Sequence, residues 1–368
     1  MAKKQPEHGL RLTQGNFQIR GIVTGVQSNN FYVEKAIPNS TNKVRNANFG
    51  VKYDVARDGD NIDLTMGKTI YPTVQGFTRD SVYFSKRTED KKTETKQIPW
   101  AQRLEFANQN PDWRIIGVNV GLEKDEEDKN IKQYLTEFDA AKAIKDKLKD
   151  DMSVFVRGNL EFRSYTDKNG DTKRFTSFAA NQVSLCADIN YADEKFEAKN
   201  DFEQEIVYTG IEKETEGDKP TGRFIVNGYV VSFNAIEPVS FIMVDSKLAN
   251  LFRKNLKPYN SIKVHGKIEV SHVVEEVVED SENEWGDSNP MSNRRTNAPT
   301  KRELVITGAS PSTISTEDYT EESIAAGIQK LKAKENVNKN FGEKKEATTT
   351  NDDDWGTPAD DNTDEEPW

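Results

Sequence analysis

Three aspartates, Asp58, Asp60 and Asp63, lie close enough together to hold a two-metal nuclease site. Their Asp-Gly-Asp-Asn setting reads instead as the tip of a hairpin. Gly67-Lys68-Thr69 ends like a phosphate-cradling loop, but the glycine needed five positions earlier is Ile62, so the backbone has no turn to wrap a phosphate. Three scattered histidines (His8, His265, His272) and the lone Cys186 cannot assemble a Cys/His zinc cluster or an internal disulfide. No Gly-x-Ser-x-Gly or His-Glu-x-x-His spacing occurs. The expectation is a protein that is not an enzyme and has no metal or cofactor. What remains is a set of aromatic rings interleaved with cations: Phe31, Tyr32, Tyr53, Tyr83, Trp100, Trp113, Phe155, Tyr165 and Phe175 beside Arg157, Arg163, Lys168, Lys173 and Arg174. A further basic run, Lys86, Arg87, Lys91, Lys92 and Lys96, alternates with Glu89, Asp90 and Glu94 and reads as a charged hairpin tip. Rings beside cations suit a ligand with open π-faces and phosphates, each stacked ring being worth roughly 1–3 kcal/mol per base.

Strand aromatics more often belong to a core, so the elements that carry these rings decide their use. Residues 153–162 alternate, with Val154 and Val156 facing one way and Phe155 and Arg157 the other. Gly158 marks a bend or bulge, which leaves the side taken by Tyr165 open. Before this strand, Ile131, Leu135, Phe138, Ala141, Ile144 and Leu148 recur at steps of three and four, predicting a helix over 131–148. A second stripe, Leu248, Leu251, Phe252 and Leu256, precedes a strand at 261–270. At an offset of 108 the two strands share Ser153/Ser261, Val156/Val264, Gly158/Gly266 and Glu161/Glu269, and Thr172-Lys-Arg174 returns as Thr300-Lys-Arg302 at 128. An internal duplication with an insertion in the second copy follows. Each copy runs strand, strand, strand, helix, strand, strand, the order of a five-stranded OB barrel, a fold that commonly takes oligonucleotides on one face.

The fold expected is mainly β, two OB-like five-stranded barrels in tandem, each with its helix between strands 3 and 4. The boundaries expected are a flexible N-terminus (1–14), an elaborated first unit (15–192), a second unit (200–315) with an acidic loop (271–299), a short helix (316–334) and a disordered acidic tail (335–368). The first unit is longer than a minimal barrel because of residues 85–130.

The 368 residues carry 51 Lys and Arg against 62 Asp and Glu, a formal charge of −11. Eight acids fall in 351–368 and seven in 275–287, with no base in either; without them 51 bases face 47 acids. The acidity is thus confined to a tail and a loop, and the rest of the chain tolerates a polyanion. Apolar residues are 34%, low for a packed chain, which fits an unpacked tail. No apolar run is long enough to cross a bilayer, and the first residues lack a signal-peptide core, so a cytoplasmic protein without membrane contact is expected.

Residues 154–178 resemble the fourth-strand, turn and fifth-strand segment of bacterial single-stranded-DNA-binding proteins: an alternating strand with a glycine, Arg-x-aromatic, Thr-Asp-x-x-Gly, then a basic-aromatic return strand. Arg163 and Tyr165 fill the Arg-x-aromatic positions, with Tyr where that family has Trp. The chain also ends Asp364-Glu365-Glu366-Pro367-Trp368, similar to that family's acidic tip, with Trp in place of Phe. The resemblance implies sequence-tolerant binding that protects single-stranded DNA in replication, recombination and repair. It implies too that the tip recruits partner enzymes in those processes. Two units in one chain differ from the usual single-unit protein, and point to a bacteriophage or mobile-element version acting in a host cytoplasm. Copy one should hold the strand. Copy two, with Arg223, Tyr229, Phe233, Lys263, His265 and Lys267 beside an acidic insertion, should be a weaker site or an assembly surface. Monomer and homo-oligomer both remain open. The alternative is a scaffold whose barrels bind protein and whose acidic segments mimic nucleic acid.

Overall fold

Alternation of apolar and polar side chains drives this chain into strands. In β1 (Gly15–Thr24) Phe17, Ile19, Gly21 and Val23 are buried, and Gln18, Arg20 and Ile22 between them stand on the other face. The computed structural model describes residues 5–58, 61–166, 172–217, 219–272 and 300–346. After β1 come β2 (Tyr32–Ala36), β3 (Lys43–Asn48), β4 (Gly50–Asp58), β5 (Asn61–Ile70) and β6 (Pro72–Phe77). An insertion follows, with β7 (Ser81–Arg87), β8 (Thr93–Pro99), α1 (Arg103–Gln109) and β9 (Arg114–Ile115). The first half then finishes with β10 (Val118–Gly121), β11 (Gln133–Leu135), α2 (Glu137–Lys147), β12 (Ser153–Thr166) and β13 (Thr172–Leu185). The second half holds β14 (Lys199–Glu216), β15 (Lys219–Val231), β16 (Ile236–Met243), α3 (Ser246–Asn255), β17 (Ser261–His272) and β18 (Thr300–Ser315). The last element is α4 (Glu321–Glu346), which runs on past the expected limit at 334. The protein is mainly β.

Each half closes on itself through hydrogen bonds. In the second, β14 pairs β15, β15 pairs β16, β16 meets β18 in parallel, β18 pairs β17, and β17 returns to β14. The first repeats that circuit with a longer hairpin. There β1 pairs β4 and β12, β4 with β3 lies against β5 with β6, β6 meets β13 in parallel, and β13 pairs β12. The halves join where β1 lies antiparallel to β14, with Phe17 opposite Phe202. Phe17 also faces Gly158 and Phe202 also faces Gly266, so the two halves meet symmetrically.

The duplication is visible in one shared irregularity. On β13 the residue Asn181 is skipped where Arg157 pairs Gln182 and Gly158 pairs Ala180, and on β18 Thr307 is skipped in the same way. A Cβ on Gly158 would lie 2.0 Å from the Ala179 carbonyl oxygen, and one on Gly266 1.9 Å from that of Val305. Only glycine admits so close a backbone approach. The registers match Ala180 to Ile306, an offset of 126, so the Thr-Lys-Arg runs at an offset of 128 are two residues out of structural step.

The first helix is shorter than its stripe. The Thr136 hydroxyl accepts from the Asp139 N–H at 3.1 Å and starts α2 there, while Leu135 pairs with Val118 in β11 and Ile131 is exposed. The predicted start at 131 is therefore corrected to 137. Asp245 caps α3 through Lys247 N–H. Among the described residues no helix is long and apolar enough to cross a membrane.

The N-terminal residues, expected to be free, lie along the second half. Leu10 and Leu12 pack with Tyr319, Ile324 and Ile328 at the start of α4. Buried His8 accepts from Leu10 N–H at Nδ1 (3.1 Å) and donates from Nε2 to the Ser232 carbonyl (2.8 Å), a pattern only the neutral ring satisfies. Arg11 pairs with Glu205 and, at 3.1 Å, with Asp318.

Candidate nucleic-acid interface

The bulge that places Gly158 against β13 costs β12 no residue, so alternation along β12 is unbroken. Val154, Val156 and Leu160 are buried, while Phe155, Arg157, Arg163 and Tyr165 share the outer face. The skipped residue lies on the partner strand, which settles the orientation that the sequence left open. Tyr165 is 51% and Phe175 45% exposed, their ring centroids 6.0 Å apart. Across the hairpin Arg163 faces Phe175 and Tyr165 faces Lys173, while Arg174, opposite Ser164, is exposed on the other face. The outer face of the hairpin thus sets two rings beside one guanidinium and one ammonium. Phe155, at the opposite end of β12, is half-buried opposite Ser184.

This face continues across β6 and β3 as a groove of about 490 Å3, lined among others by Asn46, Gln75, Phe77, Asn159, Arg163 and Phe175. Two of its cations have acids beside them: Arg163 donates to Glu161 at 2.7 Å, and Arg79 lies 3.6 Å from Glu137. Phe77 and Arg79 also line this groove, though neither is among the aromatic and basic candidates of the sequence. Their signal is the alternation of β6, where Val74 is buried and Gln75 and Phe77 stand on the other face.

Other sequence candidates lie elsewhere. Phe31 is buried, and Tyr53 is 1% exposed with its hydroxyl accepting from Val270 N–H at 3.1 Å, so neither offers a ring face. Burial pushes the Tyr53 phenol above its ordinary value. Tyr32 is half-buried, donates to Glu34 and has the Lys145 ammonium 4.7 Å over its ring; burial and that hydrogen bond push its phenol up to about 12. Trp100 and Trp113 belong to a small core inside the insertion with Val82, Phe84, Ile98 and Ile115. Trp100 stands edge-on to Phe138 and carries the Arg103 guanidinium at 4.0 Å. Burying a ring in such a core stabilises it by about 1.5–3 kcal/mol, which a base would have to replace. Tyr83 is exposed on β7. In the β7–β8 hairpin Arg87, Lys91 and Lys92 are exposed, Lys91 in a left-handed conformation, while Lys86 pairs with Asp112 at 3.0 Å. Lys168, the loop 273–299 and the tip Asp364 to Trp368 lie outside the described residues, as do the side chains of Asp58, Asp60 and Asp63. Among the described residues no metal-ligating cluster forms.

The second half presents a different face at the matching positions. Ala179 pairs Thr73 as Val305 pairs Ile242, so Thr73 and Gln75 correspond to Ile242 and Val244. Here the pocket, about 530 Å3, is lined by Ile242, Val244, Val305, Glu269, Glu303 and Arg223, with Ala56 and Lys68 of the first half across it. Val244 is 60% exposed, and Lys68 reaches Glu269 at 3.4 Å. Arg223 is held by Glu214 (2.9 Å) and Glu303 (2.7 Å). Of the second half's other sequence candidates, Lys263 pairs with Glu203 and Lys267 with Asp201, and Phe233 is exposed.

Glu303 yields a pH prediction. Burial acts to raise its carboxyl, but hydrogen bonds from Arg223 and Lys301 outweigh it and hold the pKa below the ordinary 4.5. A carboxylate lowered on folding contributes stability that is complete above its unfolded pKa and is lost as pH falls through the folded one. The melting temperature should therefore decline below about pH 4.5, and Arg223→Ala should flatten that acid limb. An unchanged limb in a pH series of thermal melts would remove Glu303 from the account.

The YorF family's sequence model matches residues 80–347. No curated protein matches the chain. Among solved structures it is similar to the wild-type single-stranded DNA binding protein from Thermus aquaticus, at 10% identity and TM-score 0.39, covering 82% of this chain and 93% of that one. A deletion mutant of that protein gives 12% identity and TM-score 0.38 over 84% and 98%. A Plasmodium falciparum SSB in complex with ssDNA gives 13% and 0.17 over 50% and 97%.

Proposed function

We propose that this chain, which belongs to the YorF family, is a sequence-tolerant, non-enzymatic binder of single-stranded DNA. Its two closed strand circuits are read as OB-like barrels, the first of which holds the strand. One observation carries this reading. Tyr165 and Phe175 stand exposed with Arg163 and Lys173 on one face of the hairpin beside an open polar groove, and the second unit lines the corresponding groove with Ile242, Val244 and Val305 and two glutamates. Stacked bases need π-faces, and their phosphates need cations within a few ångströms; an apolar, acidic face supplies neither. The second unit is then a weaker site or an assembly surface, with its exposed Val244 suited to protein contact.

The sequence resemblance over 154–178 and at the C-terminal tip adds the cellular role. The protein would coat exposed strands in replication, recombination and repair, in a host cytoplasm if phage-encoded. It would recruit enzymes through Asp364, Glu365, Glu366, Pro367 and Trp368, whose carboxylates and indole suit basic pockets with an apolar floor.

Titrating the full chain with oligo-dT and with duplex at several salt concentrations tests the function. Binding of the single strand should weaken with salt, its logarithmic slope being about −0.7 per phosphate contacted. Absence of oligo-dT binding at low salt would instead favour the scaffold reading.

A further inference from the structure

Where the first unit's groove ends, a second cavity begins. Between the β12–β13 hairpin and strands β16 and β18 lies a cleft of about 460 Å3, and Arg163 and Phe175 line both it and the groove. The groove and the cleft lie on opposite faces of the hairpin and meet at the Arg163 and Phe175 side chains. The cleft's cations come from both units, Arg163 and Arg174 from the first and Arg302 from the second. Among the described residues Arg174 has no carboxylate partner. Arg302 has none either, its guanidinium lying 5.4 Å from the centroid of the Tyr71 ring, which belongs to the first unit.

The carboxylates of the cleft are already engaged. Glu237 accepts from the Ser164 hydroxyl at 2.6 Å, and Glu303 is met by Arg223 at 2.7 Å and Lys301 at 2.8 Å. Two guanidiniums without acids, around the β13 edge from the stacking face, suit the oxygens of successive phosphates. The ring beneath Arg302 limits its rotamers, so less freedom is lost when a phosphate arrives.

We infer that the DNA strand leaves the first unit's face through this cleft, its backbone phosphates held by Arg174 from one side and Arg302 from the other. The second unit thereby contributes a phosphate contact although its own face is apolar. This inference rests on the first unit holding the strand.

The test compares oligo-dT of about 5 nucleotides, enough for one face, with oligo-dT of about 15, both within the site sizes of OB folds. In the full chain, Arg302→Ala should leave the short oligonucleotide's affinity unchanged and weaken the long one about tenfold, with the salt slope shallower by about 0.7. Arg302→Lys, which keeps the charge and the fold, should retain most of that slope. If Arg302→Ala binds both lengths as the parent does while Phe175→Ala weakens both, the strand ends on the first unit and the cleft is not its path. Equal weakening of both lengths by Arg302→Ala would also overturn the crossing. If neither variant changes binding of either length, the functional reading falls along with the cleft.

Discussion

Replacing Tyr165 and Phe175 together with alanine should weaken oligo-dT binding about 100-fold, since each stacked base is worth roughly 1–3 kcal/mol. Both rings are about half exposed and their main partner is each other. Removing them should therefore leave the melting temperature nearly unchanged, as surface changes usually stay within about 0.5 kcal/mol. Loss of affinity without loss of stability separates a binding surface from a structural one. Tyr53→Ala is the contrasting variant, because Tyr53 lies in the core and its hydroxyl serves Val270 of the other half. It should lower the melting temperature and lose its affinity only through partial unfolding. Anisotropy of a labelled oligo-dT, read beside thermal melts, distinguishes these outcomes, and a double variant that binds like the parent would remove the hairpin from the site.

The second large effect is structural and should appear twice. A methyl group at Gly158 or Gly266 meets a carbonyl oxygen at 2.0 or 1.9 Å, on backbone that has no flexible side chain to move aside. Overpacking of this kind costs about 1–3 kcal/mol and occasionally more, here on a strand of each hydrogen-bonded circuit. Gly158→Ala and Gly266→Ala should each lower the melting temperature by several degrees, at about 2–4 °C per kcal/mol for a chain of this order. Their functional effects should differ. Gly158 lies on the strand that carries Arg163 and Tyr165, so its variant should also lose oligo-dT affinity at temperatures where the chain is still folded. The Gly266 variant should bind like the parent under those conditions. Equal loss of affinity in both variants would contradict the unequal roles given to the two units.

The parts of this molecule written in local alternation could be read from the sequence. The strands at 153–162 and 261–270, their shared glycine and the outward direction of Phe155 and Arg157 all follow from a period of two. The helix at 131–148 was overextended because Leu135 keeps helical spacing while pairing with Val118, a partner that no local pattern reveals. Trp100 and Trp113 resemble platforms in isolation. They are consumed by the insertion, which must build its own core from Val82, Phe84, Ile98 and Ile115. Phe31 and Tyr53 are buried by strands distant in sequence. Phe77 is legible only as one outward position of a short strand, β6, and its place beside Arg163 and Phe175 depends on the parallel pairing of β6 with β13. That Lys68 and Ala56 lie across the second half's pocket is a contact between halves that only the folded chain displays.

The most direct test of the claim that the first unit's hairpin face holds the strand is ultraviolet crosslinking of the full chain to oligo-dT, with the modified residues mapped. Crosslinks should fall on Tyr165, Phe175 and Phe77 and be absent from Trp100, Trp113 and Tyr53. Crosslinks confined to the second unit, around Phe233 or Tyr229, would contradict it.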